Sequence, residues 1–317
     1  MKACVATSVI AALCVSAVTG FTELAYAEGT AYSIDKARDK LDSPDARAAF
    51  DHDMSGASSP DDLGKHLPPG FTKTLLVEQL APGTDPAKLV FAGAKPWAQR
   101  PHSYVAIVCL AGSADDARHD LQYSGAGCPG NSDSAEHDVR FGVFEQADDG
   151  AVHLVARTSG PVTEVTPWDD TNIDAPESVA DGEGKVSGTA TIAPESWLRL
   201  DLAPYTLQTR GDAFGVRAGW SEGYAGGGAS FEALYLFRIE GNLLRVVFAE
   251  PMMYYKMIAG DWHKDGTRSH DMYDASNSLV VLPATSDGLH DLELRERAGR
   301  WHKTFRWSAQ KQRYVAS

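Results

Sequence analysis

Basic residues are in short supply. Lys and Arg number 29 against 43 Asp and Glu, for a formal net charge of -14. A phosphate backbone is gripped by a basic face, so nucleic acid is excluded as a partner. The same acidity favours solubility and would steer a basic partner, such as a cationic enzyme or toxin, toward this surface. Long apolar runs are missing after the first residues, so no integral membrane span is expected. Cysteine is scarce too: there are four, and Cys4 and Cys14 fall in an N-terminal leader.

That leader has an ordered pattern. Lys2 precedes an apolar stretch over residues 3–18, and Ala25-Tyr26-Ala27 fits a small-x-small cleavage site before Glu28. The order predicts a signal peptide over residues 1–27 and a mature chain in the periplasm or outside the cell. No Cys stands at the junction, so a lipid anchor is not expected. Cys109 and Cys128 then remain as a lone pair. In an oxidising compartment they predict a disulfide, worth about 3 kcal/mol on the chain-entropy account. A reactive thiol or metal pair is the rival, but nothing nearby resembles the second half of a Cys-rich zinc site.

The rest of the chain is organised around residues 218–256, where a glycine loop leads into the most apolar hairpin. Phe231, Leu234, Tyr235, Leu236, Phe237 and Ile239 favour a strand, and Gly241-Asn242 supplies a tight turn. Leu243, Leu244, Val246, Val247 and Phe248 are nearly continuous apolar residues, as in a strand buried on both faces. Gly226, Gly227 and Gly228 read as a mobile loop before it, or as a place where another group approaches closely. A second hairpin spans 140–157 with its turn at Asp149-Gly150, and a third spans 289–315 with its turn at Ala298-Gly299. Residues 104–110 form a further strand ending near Cys109.

The predicted fold class is mainly β: antiparallel hairpins forming one or two β-sheet lobes, with a short helical N-terminal arm. The divisions are an arm over 28–66, a first β lobe over 67–160, an acidic connection over 161–196 and a second β lobe over 197–317. Within the arm, 34–41 and 45–53 are candidate helices, with Ser33 or Ser43 as caps and Pro44 at a first helical position. Ser33 and Lys36 match the Ser-x-x-Lys of penicillin-binding enzymes, but the companion motifs are missing.

Val143-Phe144-Glu145 before Asp149-Gly150, Phe237-Arg238-Ile239 before Gly241-Asn242, and Leu294-Arg295-Glu296 before Gly299-Arg300 share one form: strand, polar turn, strand. The ending Thr304-Phe305-Arg306-Trp307 followed by Tyr314 resembles the closing strand of uncharacterised secreted bacterial β-repeat proteins, some of them FG-GAP-like. The resemblance covers these hairpins and implies a secreted β architecture. FG-GAP units carry an Asp-rich calcium loop, which none of these hairpins has, so neither a propeller nor its calcium sites is carried over.

Four constellations could carry chemistry. Gly219-Trp220-Ser221-Glu222-Gly223 matches the nucleophile elbow of serine hydrolases, with Asp265 and His290 as candidate partners in chain order. A glycine run and a strand follow Ser221, where a hydrolase places a helix. Asp170, Asn172 and Asp174, with Asp181 further on, place oxygen ligands as in a calcium loop, although Ala175 replaces its sharp-turn glycine; a solvated acidic loop is the competing reading. Residues 261–271 gather two histidines and three carboxylates beside Lys264 and Arg268, as a metal or acid-base site or as a hydrogen-bonded polar loop. Met253 and Tyr255, with Trp220, Tyr224 and Trp262, would form an aromatic binding surface if they share one exposed face, and a core if they do not.

The function these features favour is non-catalytic binding of an envelope or extracellular partner, a protein or saccharide whose basic character would suit the acidity of this chain, as an inhibitor or immunity-type protein. No cofactor is implied. The alternative is a serine hydrolase using Ser221.

Overall fold

The computed structural model describes residues 29–55, 61–123, 127–130, 136–179 and 193–317. The signal peptide expected over 1–27 and the candidate ligand Asp181 lie outside the described residues. In chain order the described elements are β1 (Gly29–Ala31), α1 (Pro44–Ser55), α2 (Lys73–Leu80), β2 (Leu89–Pro96), β3 (Ser103–Ala111), α3 (Ala114–Tyr123), β4 (Cys128–Pro129), β5 (His137–Gln146) and β6 (Val152–Arg157). They continue as β7 (Ser196–Asp201), β8 (Ala213–Tyr224), β9 (Gly227–Glu240), β10 (Leu243–Trp262), β11 (Arg268–Ser286), β12 (Leu289–Glu296), β13 (His302–Ser308) and β14 (Arg313–Ala316). The fold is mainly β, with few helices.

The turns sit where their local chemistry puts them. β5 and β6 close over Gly150, whose φ of 85° is open to glycine at little cost, and β9 and β10 close over Gly241-Asn242. β12 and β13 close over 297–301, with the Glu296 N–H donating to the Trp301 carbonyl at 2.9 Å. The glycine loop differs from the mobile loop expected. Tyr224 pairs with Gly227, which leaves only Ala225-Gly226 as a tight turn between β8 and β9. A Cβ on Gly227 would lie 2.0 Å from the Met257 carbonyl oxygen, so the glycine there serves close strand approach.

Alternation of side chains along the strands then sets the layers. One sheet has the order β2-β3-β5-β6; the other runs β4-β7-β8-β9-β10-β11, and a parallel bridge between Arg157 and Leu243 links them. Between them Ile107, Phe141, Phe214, Ala233, Tyr235 and Phe237 form the main core. Phe141 meets Phe237 at 4.7 Å and Trp197 at 5.1 Å, so aromatic contacts cross from one sheet to the other. This core draws on both the 67–160 and the 197–317 segments. The disulfide ties the same two sheets, since Cys109 lies on β3 and Cys128 on β4, with Cα atoms 5.8 Å apart.

The opposite faces are covered as well. Leu76, Val77 and Leu80 of α2 pack on Ala106, Val108 and Phe144; the Thr72 hydroxyl caps this helix by accepting from the Leu75 N–H at 3.0 Å. β11 pairs with β10 as far as Ser276 and with β12 from Asn277 onward. That switch carries β12–β14 over the second face of β9 and β10, where Leu234, Leu236 and Phe248 meet Leu292, Leu294 and Phe305.

The acidic connection and the N-terminal arm both contribute to the interior. Within the acidic connection, Val162, Trp168, Ile173 and Val179 are buried in the main core. The arm is anchored too: β1 pairs with 270–272 of β11, and Leu41, Ala46 and Phe50 pack on Met253, Tyr255 and Met272. Among the described residues, no helix is long and apolar enough to cross a membrane.

Candidate functional site

Helix α1 is fastened at both ends. At its start the N–H groups of Asp42 and Ser43 donate to the two carboxylate oxygens of buried Asp274, each at 2.7 Å, and the Ser43 hydroxyl accepts from the Ala46 N–H at 3.1 Å. Asp45 pairs with Arg297 at 2.9 Å. Toward its end, Asp53 accepts from the Ser230 hydroxyl at 2.8 Å and from the Tyr255 hydroxyl. Burial and this carboxylate together raise the Tyr255 pKa, which keeps the phenol a donor.

Between α1 and the sheet lies a cavity of about 480 Å³. Its helical wall is Asp45, Ala48, Ala49, His52 and Asp53, which recur at i, i+3, i+4, i+7 and i+8 and so share one face. Its floor comes from β7, β8 and β9, with Ser221 registered on Ser230 and Gly219 on Glu232. Met253 and Asp62 complete the lining. On the floor, Arg199 donates two hydrogen bonds to the Glu232 carboxylate, each 2.7 Å long. Burial disfavours the Arg199 charge, but Glu232, Asp201 and Asp62 outweigh it and raise its pKa. Asp62 makes no side-chain hydrogen bond or ion pair among the described residues. The cavity thus holds four carboxylates against one guanidinium and one imidazole.

A smaller cavity of about 290 Å³ adjoins it, sharing Asp53, Ser221 and Ser230. Phe50, Met54, Glu222, Gly228 and Tyr255 add to its lining.

Ser221 lies within strand β8, with its N–H donating to the Glu195 carboxylate at 3.1 Å. The strand-to-helix turn of a nucleophile elbow is therefore not its setting. Asp265 is elsewhere, at the turn between β10 and β11, and accepts from the Thr267 hydroxyl at 2.7 Å and N–H at 3.0 Å, and from the Tyr32 hydroxyl at 2.8 Å. These bonds, led by the Thr267 hydroxyl, hold its pKa down to about 2. His290 sits on β12, its Nδ1 2.8 Å from the Leu282 carbonyl. The three belong to separate parts of the fold, and His52 is the histidine that shares the cavity with Ser221.

The five aromatic and methionine candidates do not form one exposed face. Trp220 is 2% exposed and meets Trp168 edge to face at 5.1 Å, because its place in the alternation of β8 turns it toward the core. Met253 and Tyr255 are covered by α1. Tyr224 is half-buried, donates to Glu222, and has the Lys256 ammonium 5.3 Å from its ring. Only Trp262 is open, at 70% exposure, with the Arg268 guanidinium 5.5 Å from its ring. What the fold does bring together is Trp220 and Met253 on the cavity and Tyr255 on its neighbour.

The calcium-loop candidates diverge. Asp170 pairs with Lys303 at 3.4 Å, Asn172 spends its amide on Asn277, and burial raises the Asp174 pKa. The 261–271 constellation is a hairpin tip bound to the arm: His263 stacks on Tyr32 at 4.0 Å, and Asp271 accepts from the Thr30 hydroxyl at 2.7 Å. Among the described residues, no three His, Cys, Asp or Glu side chains gather as a metal site.

Asp53, Asp62, Arg199 and Glu232 are the residues that sequence reasoning missed. The Arg199–Glu232 pairing spans 33 positions and carries no local signal. The small and polar face of α1 was readable at helical spacing. In comparisons with protein-family models, curated proteins and solved structures, nothing matches this chain.

Proposed function

We propose that this chain is an exported, non-catalytic binding protein that engages an envelope or extracellular partner through the cleft beneath α1, in the manner of an inhibitor or immunity-type protein. The leader pattern over 1–27 and the Cys109–Cys128 disulfide support export to an oxidising compartment. The observation that carries the reading is the cleft itself: a preformed cavity of about 480 Å³ with a mixed polar and apolar lining, held open between a pinned helix and a sheet.

The test is affinity capture from envelope extracts with the wild-type protein and with Ser221→Trp, which fills the cleft from its floor. One partner retained by the wild type and lost by the variant is the expected result. A partner retained equally by both contradicts the cleft as the site. A fluorophosphonate probe separates this from the hydrolase alternative: folded protein is expected to stay unlabelled, whereas labelling lost in Ser221→Ala would replace binding by acyl-enzyme chemistry.

A further inference from the structure

The two cavities share Asp53, Ser221 and Ser230, so they read as one groove that follows β8 and β9 past the end of α1. Small side chains floor it at Ser221 and Ser230, which face each other across β8 and β9. Carboxylates are spaced along it. Asp62 and Glu232 line the larger cavity, Asp53 the shared middle and Glu222 the far part.

We infer that this groove accepts an extended, lysine- or arginine-bearing peptide segment of the partner. The inference rests on the cleft being the binding site, and it names what enters. A cation placed there meets Asp62, which makes no side-chain hydrogen bond or ion pair among the described residues beyond its longer-range attraction to Arg199, in a recess where charges attract more strongly than in bulk water. Arg199 and Glu232 offset one another through their two hydrogen bonds, so Asp53 and Asp62 leave the larger cavity with surplus negative charge. Anionic ligands are repelled by the same carboxylates. The length argues for a chain over a small ion, since the groove continues from one cavity into the next. Met253 lines the first, and Met54 and Met257 the second; these adaptable apolar side chains suit the aliphatic stems of Lys and Arg. The formal charge of -14 would speed the approach of such a partner.

The test uses a fluorescein-labelled octapeptide of alternating lysine and alanine, with its glutamate counterpart as control, in fluorescence anisotropy at low and at physiological salt. The lysine peptide is expected to bind and to weaken with salt, and the glutamate peptide to stay free. Asp62→Asn is expected to lower the affinity about three- to tenfold, and Ser221→Trp to abolish binding. Asp62→Asn is nearly isosteric, so the test stands even if the tryptophan variant fails to fold. No binding of the lysine peptide at low salt overturns the inference, and so does binding that neither substitution alters, which would mark non-specific attraction to an acidic surface. If Ser221→Trp blocks capture of the envelope partner while the lysine peptide never binds, the cleft stands as the site and the cationic segment falls. If capture is unaffected as well, both fall.

Discussion

Arg199 of β7 and Glu232 of β9 meet fork to fork on the floor of the cleft, through two N–H···O contacts of 2.7 Å each. Glu232 is 8% exposed, so it depends on this partner. Arg199→Ala is expected to lower unfolding stability by about 2 kcal/mol, less than the loss for a fully buried pair because solvent screens the half-exposed guanidinium. Glu232→Gln in the same chain should recover part of that loss. Urea denaturation of the two single variants and the double variant measures it; additive losses would show that the pair is not coupled.

A second long-range pairing holds the acidic connection. The side-chain amides of Asn172 and Asn277 exchange hydrogen bonds of 3.1 and 2.8 Å, and Asn277 is buried. Asn172→Ala strands the Asn277 amide and is expected to cost about 1–3 kcal/mol. Cleavage between residues 161 and 179 in limited proteolysis should quicken in parallel. Unchanged stability and unchanged cleavage would mean that the pair does not fasten this segment.

Glu250 of β10 is buried with no hydrogen-bond partner among the described residues, and burial pushes its pKa from 4.5 up to about 7, against the attraction of Lys303 and Arg313. Asp170 adds to the rise. The folded-state value lies above the unfolded one, so the stability tied to the neutral carboxyl is fully present below pH 4.5 and is lost as pH rises through 7. The difference corresponds to about 3 kcal/mol. Glu250→Gln is therefore expected to flatten the fall in urea midpoint between about pH 5 and pH 8 and to exceed the wild type at the upper end. A variant that falls as steeply as the wild type would contradict it.

What could be read from the sequence was local. The turns at Asp149-Gly150, Gly241-Asn242 and Ala298-Gly299 announce themselves in two residues, and the segments beside them are short and rich in branched and aromatic residues, so the β class and its hairpins were legible. Ser221 was harder: five residues match a nucleophile elbow, but the pairing of Ser221 with Ser230 makes the site a strand. Met253 and Tyr255 look like an interface until α1 covers them, and nothing near them in the chain says that it will. Trp168 and Ile173 sit among acids and prolines yet fill a core formed by strands far away in sequence. The cleft was illegible for the same reason, since its walls come from the arm, β7, β8 and β9 and its charge pairs cross between them.

Whether a cationic segment enters the cleft is read out by amide chemical-shift mapping of the labelled protein, titrated with the alternating lysine–alanine octapeptide. Shifts are expected to concentrate in α1, around Asp62, and across Gly219, Ser221 and Ser230. Shifts centred instead on Tyr32, Trp262 and His263 at the exposed hairpin tip, or no shifts at all, would contradict it.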